Sequence, residues 1–149
     1  MLPYGKQSID QDDVDAVVEA LQSDRITTGP RVDQFEEAFA EFCGAQHAVA
    51  VANGTAALEC AAYAAGVGAG DEVIVPSMTF AASANCVLYR NATPVFADVV
   101  PETLLIDPAE VEKKVTGKTK AIIAVDYAGQ PCDYDALQAI AARYGLILI

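Results

Sequence analysis

Positive charge is scarce in this chain. Nine lysines and arginines face 21 aspartates and glutamates, a formal net charge of −12. So acidic a surface repels nucleic acid and anionic membranes, and neither is expected as a partner. A bound phosphate has to rest on local amides, hydroxyls and a few placed cations. Metal-ligating patterns are missing too. Cys43, Cys60, Cys86 and Cys132 are widely spaced with no CxxC pair, so neither a disulfide framework nor a metal site is expected. The single histidine, His47, has no base–nucleophile pair near it in sequence, which favours a structural role. No apolar run is long enough to span a bilayer. The opening residues run straight into polar sequence without a signal peptide, and a cytoplasmic location is the expectation. A P-loop, a GxGxxG and a Ser/His/Asp set are all lacking.

What is present is apolar and ordered. Of the 149 residues, 53% are hydrophobic and 20% charged, enough for the core of one ordinary domain and too apolar for disorder. Val14, Val17, Val18 and Leu21 recur at helical spacing, predicting a helix over 10–23 with Asp10, Asp12 and Asp13 at its positive end. The Gly29-Pro30 pair breaks the chain. A second helix is predicted over 32–42, with Phe35, Phe39 and Phe42 on one face and Gly44 as its stop.

From His47 onward the pattern alternates. Strands are predicted over 48–52, 72–75, 94–98, 121–125 and 146–149, with helices over 55–65, 80–89, 108–115 and 133–144. The strands are short apolar runs without strict alternation, as expected when both faces of a sheet are covered. The fold class is α/β, a mostly parallel sheet with helices on both faces. A helical segment over 1–46 precedes an α/β domain over 47–149. The last predicted strand has no helix after it, so the chain is expected to be the N-terminal part of something longer.

Ligand-contacting residues of open α/β sheets lie just beyond the carboxyl ends of strands. Asn53-Gly54-Thr55 forms such a junction, and two readings of it stay open. Thr55 caps an ordinary helix, or Gly54 and Thr55 cradle an anion with their N–H groups and the threonine hydroxyl. Pro76-Ser77-Met78-Thr79-Phe80 forms another. There Phe80 is either core or an aromatic face for a flat ring. A third loop, Asp126 to Asp133, carries polar side chains that face a ligand or satisfy its own backbone, and Asp133 is a candidate cap for the last helix. Lys113, Lys114, Lys118 and Lys120 read as a solvated face.

Taken in order, these stretches resemble the DegT/DnrJ/EryC1/StrS family of sugar aminotransferases. The residues that carry the resemblance are Pro3-Tyr4-Gly5-Lys6-Gln7-Ser8-Ile9, Ile26-Thr27-Thr28-Gly29-Pro30 and Phe35-Glu36. To these add Asn53-Gly54-Thr55-Ala56-Ala57-Leu58, Pro76-Ser77-Met78-Thr79-Phe80-Ala81-Ala82 and Val125-Asp126-Tyr127-Ala128-Gly129-Gln130-Pro131. The resemblance implies a fold-type-I enzyme dependent on pyridoxal 5′-phosphate, 47–149 being the first part of its large domain. It further implies a homodimer and transfer of an amino group from glutamate to a nucleotide sugar. The nearest branch acts on a UDP-4-keto-6-deoxy-hexosamine in pseudaminic acid synthesis.

By the same resemblance the cofactor's phosphate maps onto Gly54, Thr55 and Ala56, and its ring onto Phe80. Sugar-nucleotide contacts map onto Tyr4, Asp24, Arg25, Ile26 and Thr27. The family's pyridine-nitrogen aspartate and Schiff-base lysine fall after Ile149. The 149-residue polypeptide is therefore expected to lack transaminase activity alone, with no catalytic residue of its own. Two other readings stay open: a sugar dehydratase of the same family, and a noncatalytic phosphate-binding α/β module.

Overall fold

The computed structural model describes residues 5–149. It divides into two compact units, Met1–Ala50 and Val51–Ile149. Among the described residues no helix is long and apolar enough to cross a membrane.

The first unit holds α1 (Gln11–Gln22) and α2 (Pro30–Cys43). Asp10 starts α1 with a capping box. Its carboxylate accepts the N–H groups of Asp12 and Asp13, at 3.0 and 3.2 Å, while Asp13 accepts the N–H of Asp10 at 3.1 Å. Helix α2 begins two residues before the predicted start because Pro30 suits the first helical position. It ends at Gly44, whose φ of 65° closes the helix in the left-handed region. An ion pair of Arg31 with Glu19 links the two helices. Gly29 is needed between them, since a Cβ there would stand 2.8 Å from the carbonyl oxygen of Arg25. Phe35 and Phe39 stack on one another with centroids 5.6 Å apart, and Phe42 is exposed.

The second unit is built on a four-stranded parallel sheet in the order β2-β1-β3-β4. The strands are β1 (Glu72–Pro76), β2 (Thr93–Ala97), β3 (Thr119–Ile122) and β4 (Ile147–Leu148). The helices are α3 (Gly54–Ala64), α4 (Ala82–Tyr89), α5 (Pro108–Lys114) and α6 (Tyr134–Tyr144). Side chains alternate across the sheet and divide the core. Val73, Val75, Ala121 and Ile123 pack with Ala62, Val67, Cys86 and Val87 on the α3–α4 side. Ile74, Ala97 and Ile122 pack with Val111, Leu137 and Ile140 on the α5–α6 side. Each fully buried Val, Ile or Leu contributes about 1.5–3 kcal/mol. With both faces covered, the strands need not alternate in polarity, and the α/β fold with helices on both faces is the one observed.

Three expectations are corrected. Residues 48–52 form no strand. The segment has no ladder partner among the described residues, and the N–H of Ala50 donates to Glu36 Oε1 at 2.7 Å instead. The helix predicted from Phe80 starts at Ala82, which leaves Phe80 in the loop after β1. Strand β3 begins two residues earlier than predicted. Its hydrogen bonding nonetheless continues past Ile122, with Ile123 N–H donating to Ile74 O and Ala124 N–H to Ile149 O, each at 2.8 Å.

Candidate functional site

Strand β1 connects through α4 to β2 on one side, and the chain then crosses over to place β3 on the other. The connections diverge between β1 and β3, and a crevice opens beyond the carboxyl ends of strands at such a point. Helix α3 brings a helix N-terminus to this same end. Its C-terminus feeds β1 through a short turn, held where Asp71 Oδ2 accepts the N–H of Gly68 at 2.9 Å. The 11 residues of α3 rise about 16 Å, about the length of β1.

The cap of α3 is Asn53, not Thr55. Asn53 Oδ1 accepts the N–H of Ala56 at 3.0 Å. The N–H groups of Gly54 and Thr55 and the Thr55 hydroxyl have no partner among the described residues. They stand at the positive end of the helix dipole. No atom comes within 4 Å of a Cβ built on Gly54, so the space beside it is open. Three donors at a helix N-terminus beside open space fit a phosphate, and the donor on Ala56 is already engaged by Asn53.

Phe80 is 77% exposed and therefore not part of the core, contrary to one of the two sequence readings. Its loop is tied on both sides. Ser77 donates its backbone N–H to Ala97 O at 2.8 Å and its hydroxyl to Asp98 Oδ1 at 3.2 Å, joining the ends of β1 and β2. Thr79 Oγ1 and Ser83 Oγ share a hydrogen bond of 2.7 Å at the start of α4. Neither Asp98 nor Ser83 stands among the site residues expected from the sequence. The spacing of four between Thr79 and Ser83, across a loop-to-helix junction, was the available signal.

The loop after β3 is organised by its own carboxylate. Asp126 Oδ1 accepts the N–H of Cys132 and the hydroxyl of Tyr134, each at 2.9 Å. The Cys132 amide bond, with the Tyr134 hydroxyl adding to it, holds the Asp126 carboxyl below its usual range. Burial first, and then the bond to Asp126, push Tyr134 up to about 12. Burial raises the thiols of Cys86 and Cys132 as well, so both stay protonated and unreactive at neutral pH. Ala128 and Gly129 turn the loop with φ of 55° and 81°. Of the two sequence readings for this loop, the satisfied backbone is the one seen for Asp126. Asp133 caps α6 as expected, accepting the N–H of Ala136 at 3.0 Å.

The structure thus brings Gly54, Thr55, Ala56 and Phe80 to one end of the second unit. Asp24, Arg25, Ile26 and Thr27 lie exposed between α1 and α2 in the first unit, and Tyr4 lies outside the described residues. The set in the second unit can hold an anion and offer an aromatic face.

Comparison with known proteins identifies relatives along the whole matched chain. The chain is 47% identical over 148 residues to the spore coat polysaccharide biosynthesis protein SpsC of Bacillus subtilis (strain 168), covering 99% of this chain and 38% of that protein. Spr1654 of Streptococcus pneumoniae, named as a sugar aminotransferase and solved in a PLP form, superimposes with a TM-score of 0.90 at 36% identity. That match covers 98% of this chain and 38% of the other. Helicobacter pylori PseC, an aminotransferase involved in the biosynthesis of pseudoaminic acid, gives a TM-score of 0.89 at 34% identity, covering 98% of this chain and 40% of its own. The chain therefore spans about two-fifths of the length of these relatives. The model of the DegT/DnrJ/EryC1/StrS aminotransferase family matches residues 7–149, and the chain belongs to that family.

Proposed function

We propose that this chain is the phosphate- and ring-holding portion of a pyridoxal-phosphate-dependent sugar aminotransferase. The observation that carries the reading is the pairing of unpartnered donors on Gly54 and Thr55 with an exposed Phe80 at one end of a parallel sheet. When bound, pyridoxal phosphate supplies the electron sink for moving an amino group. The chain's own residues bind and orient. Gly54 and Thr55 donate to the phosphate, with Ala56 in the same turn, and Phe80 offers its face to the pyridine ring.

The amino donor in this proposal is glutamate and the acceptor a UDP-4-keto-6-deoxy-hexosamine, with Tyr4, Asp24, Arg25, Ile26 and Thr27 as the sugar-nucleotide contacts. The likeness to PseC supports that acceptor, and the likeness to SpsC supports a place in polysaccharide synthesis. The active protein is proposed to be a cytoplasmic homodimer. The isolated 149-residue chain is proposed to bind the cofactor without transferring an amino group.

Equilibrium binding of pyridoxal phosphate to this chain tests the reading. Thr55→Val removes one donor to a charged oxygen, worth about 1.5 kcal/mol or roughly tenfold in affinity. Inorganic phosphate should compete, and pyridoxal without its phosphate should bind more weakly. Equal binding of the phosphorylated and unphosphorylated forms would remove the phosphate cradle from the account. Phosphate binding that pyridoxal phosphate cannot displace would favour a noncatalytic phosphate-binding module instead.

A further inference from the structure

A phenylalanine that is 77% exposed is not positioned by packing. Where its ring is carried is set by the backbone, and two groups of one residue grip that backbone. Ser83 is 4% exposed, and its hydroxyl lies 2.7 Å from Thr79 Oγ1. Its backbone N–H donates to the carbonyl oxygen of Phe80 at 3.0 Å. The residue before Phe80 and the carbonyl of Phe80 itself are thus both tied to the first turn of α4. At the other end of the loop, Ser77 is fixed to β2 through Ala97 O and Asp98 Oδ1. The Ser83 hydroxyl is a costly thing to place under a solvent-facing loop, because without Thr79 it would go unsatisfied.

We propose that Ser83 and Thr79 are positioning residues that hold the backbone of Phe80, before any ligand arrives, at the place from which its ring receives a planar heteroaromatic ring. This rests on the reading of Phe80 as the ring-facing residue. Ordering the ring in advance removes a cost otherwise met on binding, so the clamp acts on affinity through Phe80 without touching the ligand.

The sequence contains no tryptophan, so Phe80→Trp places a single reporter on the platform. Time-resolved anisotropy of that indole reads its local motion, and quenching by added pyridoxal phosphate reads binding. In this background Thr79→Val and Ser83→Ala should each free the indole and weaken quenching about two- to tenfold. Thr79→Val should also lower the thermal midpoint, by stranding the buried Ser83 hydroxyl. Thr79→Ser keeps the hydroxyl and should behave as the parent.

The variant carrying both Thr79→Val and Ser83→Ala separates positioning from mere stability. Removing both partners should restore the midpoint while the indole stays mobile and quenching stays weak. An indole as rigid in that double variant as in the parent would overturn the proposal. If the indole responds to the clamp but pyridoxal phosphate quenches no variant, the clamp stands and the cofactor assignment falls.

Discussion

Tyr134 donates its phenolic hydrogen to Asp126 Oδ1 at 2.9 Å, and the same oxygen receives the N–H of Cys132 at 2.9 Å. One carboxylate oxygen thus joins the loop after β3 to the first turn of α6. The pair also couples two titrations in opposite directions. Tyr134 is pushed up to about 12 by burial and then by this bond, while Asp126 is held low by the Cys132 amide and then by the Tyr134 hydroxyl.

Replacing Asp126 with asparagine should lower the Tyr134 pKa without returning it fully to its ordinary value near 10, because burial, the larger cause, remains. The raised tyrosine pKa stabilises the fold fully below about pH 10, and that contribution is lost as pH rises through about 12. The lowered aspartate stabilises above about pH 4 and is lost as the pH falls through its folded value. Near-ultraviolet titration of the parent, Asp126→Asn and Tyr134→Phe checks this. An identical phenolate titration in parent and Asp126→Asn would refute the coupling.

Asn53→Ala removes the acceptor for the Ala56 N–H and should cost about 1 kcal/mol, the usual value of an N-cap. Asn53→Asp keeps an acceptor oxygen and should hold most of that stability. Chemical denaturation of the two variants beside the parent measures both. A loss for aspartate as large as for alanine would mean the cap bond is not what matters at this position.

Leu137 is fully buried on the α5–α6 side of the sheet, whereas Leu88 on α4 is 53% exposed. Leu137→Ala should cost about 3 kcal/mol, and Leu88→Ala about 0.5 kcal/mol or less. Equal losses in denaturant titrations would mean that this division of the core is wrong.

The thiols should react in two classes. Cys43 and Cys60 are exposed, while Cys86 and Cys132 are buried with raised pKa. A thiol reagent at neutral pH should label the first pair quickly and the second only on unfolding. Mass spectrometry of peptides from a timed reaction distinguishes the four sites. Early labelling of Cys132 would mean that the loop after β3 opens readily.

The sequence exposed some of this plainly and hid the rest for physical reasons. Helix ends were readable where a single residue decides them, as at Gly44, Asp133 and the acidic start of α1. The strand expected over 48–52 does not form because apolarity reports only a need for cover, while a strand also needs a neighbour to bond. One of the two readings of the Asn53–Thr55 junction puts the cap on Thr55, whereas Asn53 holds it. Both are capping types two residues apart, and only geometry says whose oxygen reaches Ala56. Phe80 could not be read from composition, since an aromatic that is core and one that is displayed have the same letter. Asp98 is not legible locally because its partner Ser77 lies 21 residues away, across two strand ends, whereas Ser83 has only its spacing of four from Thr79 to mark it.

The sheet order has a consequence for how the molecule comes together. Every adjacent pair of strands is parallel, so no tight turn can zip any two of them. The first pairing must instead close a loop across a helix, and the shortest such loop runs from Pro76 to Thr93 through α4. Amide protection during refolding should therefore appear first in β1 and β2, before β3 joins the far side of β1. The strand laid down first in the sequence becomes the seam on which both halves of the sheet are assembled.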